Sequence, residues 1–510
     1  MSTEDERPDG SRSVRRPSRP AAAPETHEAD ATTPLLHPST PTQQPSRRTS
    51  ICRLLIPLFL LALLLSLLPF HTLDERATSL LPNATLTNGT HAFRRTVVLV
   101  SLDGAKPAYL RPDLAPSLQA LGTSTRRSRR ARFMQPIFPT LTFPNHWTLL
   151  TGLYAGSHGI VANDFTDAGT GRQFYYMSPQ MSWDVRWWRG EPIWATAERS
   201  AVSSAVLMWP GPPVTAQGGR PRYFQKYESD WDLEGRMRQV LAWVDMERVE
   251  DRPSLICAYV PDIDQAAHKF GPDSAQALAA VRQVDAFIGR LHTELVDKRA
   301  LHNVVDVIIV SDHGMTTTSN AKLVYLEELL GSTLYAHLEH RDGWPSAGLR
   351  FRGTPAEQRQ LEQHAFDRLS TLTQKGWTVY TRDTLPERYY FASAAVEDRL
   401  APLWIVPDVG WSITTHAEMA GFSDGVYAPR GNHGYDNEEE DMHAIFVASG
   451  PSFAPVSSAE GSKGKAWNMD GFGNVEVHNL VSRILGVRES KRASTNGTWT
   501  FWDSHLRSGL

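Results

Sequence analysis

Asp103, Thr142, Asp264, His268, Asp312, His313 and His433 carry the side chains that a two-metal phosphoryl-transfer site requires. Six of them offer carboxylate or imidazole donors. That donor set suits Zn²⁺, and a catalytic zinc keeps one position open for substrate or water. Asp264 and His268 stand at i and i+4, which on a helix puts both on one face, toward one metal. Alone, that spacing also describes a solvated surface pair, and a lone His433 carries no meaning. The chemistry emerges only from the set. Thr142 lies in Pro139-Thr-Leu-Thr-Phe-Pro-Asn-His-Trp147, where two threonines between prolines lead into a helix start. Helix N-termini attract anions, although a threonine there ordinarily serves as a cap. A threonine hydroxyl is too weakly acidic to attack phosphorus unaided, so a nucleophilic Thr142 needs a metal beside it.

Residues this far apart need a common edge to meet on. The apolar run Thr96–Leu102 ends at Asp103, Val304–Val310 ends just before Asp312-His313, and Leu255–Val260 precedes Asp264. Ser204–Leu207 and Ala444–Val447 are further strand candidates. Leu278, Val281, Val284, Ile288, Leu291 and Leu295 recur at helical steps, as do Leu233, Met237, Val240, Leu241 and Val244. This alternation predicts an α/β fold, with a mostly parallel central sheet and helices on both faces. In such sheets, sites form beyond the strand ends. The stretch 350–399, with a charged helix and the aromatic run Arg388-Tyr-Tyr-Phe391, reads as a small inserted subdomain.

The formal charge of −4 and pI near 6.5 show no basic footprint, so duplex nucleic acid is not an expected partner. Cys52 and Cys257 are the two cysteines, one beside an apolar segment and one inside a strand, so no disulfide is expected. Residues 1–50 are proline-rich and poor in aromatics, the composition of a disordered cytosolic tail. Leu54–Phe70 is nearly unbroken apolar sequence, with Arg47, Arg48 and Arg53 before it and Asp74 and Glu75 after it. Residues 51–70 therefore read as a type II signal-anchor in a lipid bilayer. The remaining chain would then face the exterior or a vacuolar or secretory lumen. Sequons at Asn83, Asn88 and Asn496 fit that side, the first two in a glycosylated stalk at 71–94. A catalytic domain at 95–488 and a C-terminal tail at 489–510 complete the expected organisation. Nothing in the sequence sets an oligomeric state.

The motifs Leu99-Val-Ser-Leu-Asp-Gly104, Phe138-Pro-Thr-Leu-Thr-Phe-Pro-Asn-His146, Ser157-His-Gly-Ile160, Met208-Trp-Pro-Gly211, Ser311-Asp-His-Gly-Met315 and Gly431-Asn-His-Gly-Tyr435 occur in a definite order. In that order and spacing the chain resembles the ectonucleotide pyrophosphatase/phosphodiesterase family, within the alkaline phosphatase superfamily. The likeness is to the compact, membrane-anchored fungal type, without the Cys-rich and nuclease-like modules of animal members. The resemblance implies two Zn²⁺, one held by Asp264, His268 and His433, the other by Asp103, Asp312 and His313. It further implies Thr142 as nucleophile, Asn163 as a phosphate-oxygen ligand, and Phe143 and Tyr227 as the faces that sandwich a nucleobase. The implied reaction releases nucleoside 5′-monophosphates through a phospho-threonine intermediate. Pro212-Pro213 stands where nucleotide-cleaving animal members carry a base-reading acid. Two alternatives remain on the same scaffold: a phospholipid-headgroup phosphodiesterase of the choline type, and a catalytically inactive binding protein.

Overall fold

The computed structural model describes residues 84–510, except 217, 374, 423 and 457–466. The expected tail and anchor, Cys52, and the stalk up to Asn83 lie outside the described residues. In chain order the strands are β1 (Thr96–Leu102), β2 (Ser128–Arg130), β3 (Ser204–Leu207), β4 (Tyr223–Gln225), β5 (Leu255–Val260), β6 (Val305–Val310), β7 (Leu338–Asp342), β8 (Ala347–Phe351), β9 (Trp377–Thr381), β10 (Leu403–Pro407) and β11 (Phe446–Ser449). The main helices are α1 (Pro116–Thr123), α2 (Thr142–Thr151), α3 (Ile193–Arg199), α4 (Leu233–Val244), α5 (Asp262–Phe270), α6 (Ala275–His292), α7 (Leu326–Ala336), α8 (Pro355–Thr371) and α9 (Val477–Ile484).

The central sheet has the order β2-β11-β6-β1-β5-β3-β4. Every pair in it is parallel except the two made by β11. Every residue of β1 is buried, and so is every residue of β5 and β6. Strands covered on both faces must be apolar throughout, which explains their unbroken Val, Ile and Leu runs. Alternate residues serve opposite layers. Val97 and Leu99 join the side carrying Trp147 and Leu150 of α2, Trp194 of α3 and Leu480 of α9. Val98, Val100 and Leu102 join the side carrying Leu118 of α1, Val240 of α4 and Val284 and Ile288 of α6.

Register decides where the site forms. β1 pairs Leu102 with Val260, and Ser101 with Val310. Asp103, the start of α5 and Asp312 therefore emerge level with one another at one edge. β11 begins at Phe446 rather than Ala444, because Ala444 bridges to Met134 instead of joining β6. β7, β8, β10 and β9 form an antiparallel sheet of their own. With α7 and α8 it packs a separate core around Leu330, Phe351, Leu369 and Trp377. This unit runs from Leu326 to Pro407, wider than the expected 350–399. Residues 489–510 fold back on the body, where Trp502 is fully buried against Phe446 and Phe472. Among the described residues no helix is long and apolar enough to cross a membrane.

Candidate two-metal site

The ends of β1 and β6, helix α5 and the segment that carries His433 deliver all six candidate ligands to one place, in two triads. Asp264, His268 and His433 form one, and Asp103, Asp312 and His313 the other; within each, the donor atoms lie within 4.8 Å of one another. In the first, His268 Nε2 lies 3.3 Å and His433 Nε2 3.6 Å from Asp264 Oδ1. In the second, His313 Nε2 lies 3.4 Å from Asp103 Oδ1 and 3.0 Å from Asp312 Oδ2. The His313 and His433 rings stack face to face with centroids 3.5 Å apart, joining the two triads.

Backbone geometry permits this crowding. Gly104 has φ +69°, and a Cβ there would sit 3.1 Å from the Asp264 backbone. Its N–H donates to Asp312 Oδ1 at 3.2 Å, tying three strand ends together. Gly434 follows His433 with φ +101° and leaves no room for a Cβ beside Pro345 and Leu141.

The donor chemistry fits metal ions. Nδ1 of His268, His433 and His313 each lies 2.8 Å from a backbone carbonyl, of Gly431, Thr140 and Gly314 respectively. A carbonyl only accepts, so each Nδ1 carries the hydrogen and each Nε2 presents a lone pair to the site. The Nε2 atoms of His268 and His433 face each other at 3.1 Å. Two neutral rings in these tautomers cannot hydrogen-bond to one another, whereas a cation reconciles them. Asp103 Oδ1, Asp264 Oδ1 and Asp312 Oδ2 are buried oxygens without a hydrogen-bond partner, and they are the oxygens nearest the imidazoles. Burial pushes the Asp103 carboxyl well above the usual range, with repulsion from Asp312 and Asp264 adding to it. Burial also raises Asp264, against the pull of His268. Burial opposes charge on Asp312 as well, yet His313 and His146 hold it well below the usual carboxylate range. Negative charge this concentrated calls for cations.

Thr142 is the first residue of α2, and Leu141 occupies the cap position without a side-chain cap bond. The Thr142 hydroxyl is therefore not used for capping; its Oγ1 lies 3.3 Å from His313 Nε2. Asn163 Oδ1 accepts the Phe143 N–H, next in the chain to Thr142, at 3.0 Å, which assigns the amide and leaves its Nδ2 as a donor. Phe143 is half-buried and packs on Phe174, Tyr176 and Trp188. Tyr227 is 43% exposed; it accepts from Gln265 Nε2 at 3.2 Å and meets the Tyr259 ring edge-on. The two aromatics do not touch, and each stands on a different set of rings.

Two residues escaped the sequence reading. Tyr259, buried at the end of β5, donates its hydroxyl to Asp103 Oδ2 at 2.5 Å. His146, named there only as part of its motif, contacts Thr142, Ser101 and Asp312. Tyr259 had a faint signal, as a hydroxyl at the penultimate position of an apolar strand. His146 had one in its i+4 spacing from Thr142. Of the sequons, Asn88 donates Nδ2 to the Arg299 carbonyl at 2.8 Å, while Asn496 is exposed.

Residues 97–436 match the model of the type I phosphodiesterase/nucleotide pyrophosphatase family. The chain belongs to this family. An uncharacterised pyrophosphatase/phosphodiesterase of Schizosaccharomyces pombe is 38% identical over 81% of this chain and 80% of its own length. Ectonucleotide pyrophosphatase/phosphodiesterase family member 3 of Bos taurus is 31% identical over 79% of this chain, which spans 43% of that longer protein. Among solved structures, murine ectonucleotide pyrophosphatase/phosphodiesterase 5 superposes with a TM-score of 0.67 at 28% identity, covering 81% of this chain and 100% of that one. An inactive threonine-to-alanine variant of that murine protein has been solved in complex with AMP, with the same likeness. This family member is thus a hydrolase with the alkaline phosphatase-like fold of the ectonucleotide pyrophosphatases/phosphodiesterases.

Proposed function

We propose that the chain cleaves nucleotide pyrophosphate and phosphodiester bonds, releasing nucleoside 5′-monophosphates through a phospho-threonine at Thr142. The observation carrying this reading is the uncapped Thr142 hydroxyl at the start of α2, beside His313 of a triad that, like its neighbour, holds orphaned carboxylate oxygens. Asp264, His268 and His433 would hold one divalent cation and Asp103, Asp312 and His313 the other, both zinc by donor type. When bound, such cations supply the Lewis acidity that makes a hydroxyl nucleophilic and offset charge on phosphate.

The Thr142 hydroxyl gives its proton to water as its Oγ1–phosphorus bond forms and the bond from phosphorus to the leaving oxygen breaks. The leaving oxygen keeps the electron pair and takes a proton from water. A water then attacks the same phosphorus, and the Thr142 oxygen departs and regains its proton. Asn163 Nδ2 donates to a non-bridging oxygen throughout, and the N-terminus of α2 favours the anion. The base packs between Phe143 and Tyr227. The inactive threonine variant and AMP complex of the murine neighbour support both the nucleophile and the product class. Residues 51–70 anchor the chain as a type II membrane protein with the catalytic domain outside the cytosol, and Asn83, Asn88 and Asn496 lie on that side as glycan acceptors.

The full-length chain is assayed on the p-nitrophenyl ester of thymidine 5′-monophosphate, on ATP and on lysophosphatidylcholine. Chelator-sensitive cleavage of the first two is expected, and Thr142→Ala should lower turnover by at least about 10³-fold, a typical loss for an essential nucleophile, while metal content stays at two per chain. Preference for the choline lipid would replace the substrate assignment. Chelator-insensitive inactivity in the metal-replete protein would favour a binding protein.

A further inference from the structure

Outside the proposed ligands, nucleophile and base-binding rings, one buried side chain touches the nucleophile's helix, the β1 strand and a ligand carboxylate at once. His146 is fully buried on α2, four residues after Thr142, so its ring lies over the first helical turn. Its Nδ1 is 2.9 Å from the Thr142 carbonyl and 3.2 Å from Asp312 Oδ2. Both neighbours accept hydrogen bonds, so Nδ1 carries the hydrogen and donates it to the Thr142 carbonyl. Its Nε2 lies 2.9 Å from Ser101 Oγ, whose hydroxyl completes the ring's partners from β1, two residues before Asp103.

The imidazole cannot rotate out of this arrangement. Trp209 and Tyr259 meet it edge-on, with ring centroids 5.2 and 5.1 Å away and interplanar angles of 82° and 84°. Trp209 Nε1 also donates to the His146 carbonyl at 3.3 Å. The residue that delivers Trp209 is strained. Met208 is fully buried at φ +62°, and its N–H is held by the Gln225 carbonyl. A non-glycine residue persists in that conformation only where the surroundings over-determine it. Packing alone explains none of this polarity. A leucine would fill the volume and lose both ring contacts.

We infer that His146 is a positioning residue: it fixes the first turn of α2, and with it Thr142 Oγ1, in register with Asp312 and the strand that carries Asp103. Ser101 anchors the far side of the ring. The inference rests on the reading of Thr142 as nucleophile. A nucleophile about 1 Å out of place loses on the order of 10²-fold in rate, so the effect belongs in kcat rather than in substrate binding.

The test compares Ser101→Ala, His146→Asn and His146→Leu with the parent in the full-length, metal-replete chain. The probe is the p-nitrophenyl ester of thymidine 5′-monophosphate; kcat, KM, bound zinc per chain and melting temperature are read for each. His146→Asn keeps a donor near the Nδ1 position, and His146→Leu keeps only volume. Expected are a kcat loss of about 10²-fold for His146→Leu, recovery of about 10-fold of it in His146→Asn, and a smaller kcat loss for Ser101→Ala. KM should stay within about 2-fold and zinc at two per chain, since neither reports nucleophile placement. Should His146→Leu not fold, the kcat and zinc readings of His146→Asn and Ser101→Ala decide. Losses that track zinc content or stability, or unchanged kcat throughout, overturn the inference. Thr142→Ala run alongside separates the readings. If that variant is inactive and the His146 series is flat, only the positioning role falls, whereas an active Thr142→Ala removes both.

Discussion

Thr140 and Thr142 stand two residues apart in one short motif, and their surroundings give them different tasks. Thr140 is fully buried; its hydroxyl donates to the Tyr435 carbonyl and accepts the Gly434 N–H, while its own carbonyl holds the His433 ring. Both hydroxyl roles are taken, so Thr140 braces the His433 loop. Thr140→Val should cost about 1–3 kcal/mol by leaving a buried N–H and a carbonyl unmatched, and should weaken zinc retention. Thermal melting with metal analysis checks both. Thr142→Ala should leave the melting temperature nearly unchanged, because its hydroxyl caps nothing. At the base-binding rings the effect belongs to substrate affinity. Stacking contributes about 1–3 kcal/mol per base, so Tyr227→Ala should raise KM for a nucleotide diester by about 5- to 150-fold with kcat less affected. An unchanged KM would remove Tyr227 from the pocket.

Among the elements, α2 is held by two buried histidines outside the site. His158 Nδ1 accepts the Ile160 N–H at 3.1 Å, so its Nε2 carries the hydrogen toward Thr148 Oγ1. His478 on α9 lies with Nδ1 2.7 Å from the Leu150 carbonyl. Burial lowers His158 to about 3 and His478 to about 4. Folded imidazoles depressed in this way stay neutral while the unfolded chain binds protons below about 6.5. Stability is therefore lost as pH falls through that window, by about 2–3 kcal/mol per histidine at pH 4.5. Asp306, raised to about 6 by burial, acts in the opposite direction. A His158→Gln variant isolates the histidine, and its melting temperature should drop less than the parent's between pH 7 and 5. The strand ends are equally exacting. Gly104→Ala combines a positive φ with a clash against Asp264, and should cost at least about 1–3 kcal/mol and depress zinc binding together with turnover.

Over the whole molecule, the central sheet gathers the ligands while segments distant in sequence close around it. Trp502 sits in the core between Phe446 and Phe472, and its Nε1 donates to the Glu476 carbonyl. The segment 489–510 is thus part of the body. Trp502→Ala should cost about 3–5 kcal/mol, visible as a lower denaturation midpoint, with kcat per folded molecule unchanged. The β7–β10 sheet has its own apolar core but borders the site at Gly434, where Pro345, from the turn between β7 and β8, packs so closely that no Cβ fits.

Much of this protein was legible in one dimension. A buried parallel strand must be apolar along its whole length, so β1, β5 and β6 announced themselves, and the acid that ends each run marked the edge. The helical periods of α4 and α6 were equally plain, because a helix covering a sheet repeats its apolar face every three to four residues. Residue spacing could not divide the ligands into triads, and only the family resemblance implied a division; the tertiary structure supplies the proximity, since Asp264 and His268 meet His433 only through loops whose paths no local pattern encodes. It alone decided that Thr142 leaves its hydroxyl uncapped whereas Thr140 saturates its own. It revealed Tyr259 and His146, whose importance lies in partners far away in sequence. Periodicity reports which face of an element is buried, but a hydrogen bond between distant elements leaves no trace in either element's own pattern.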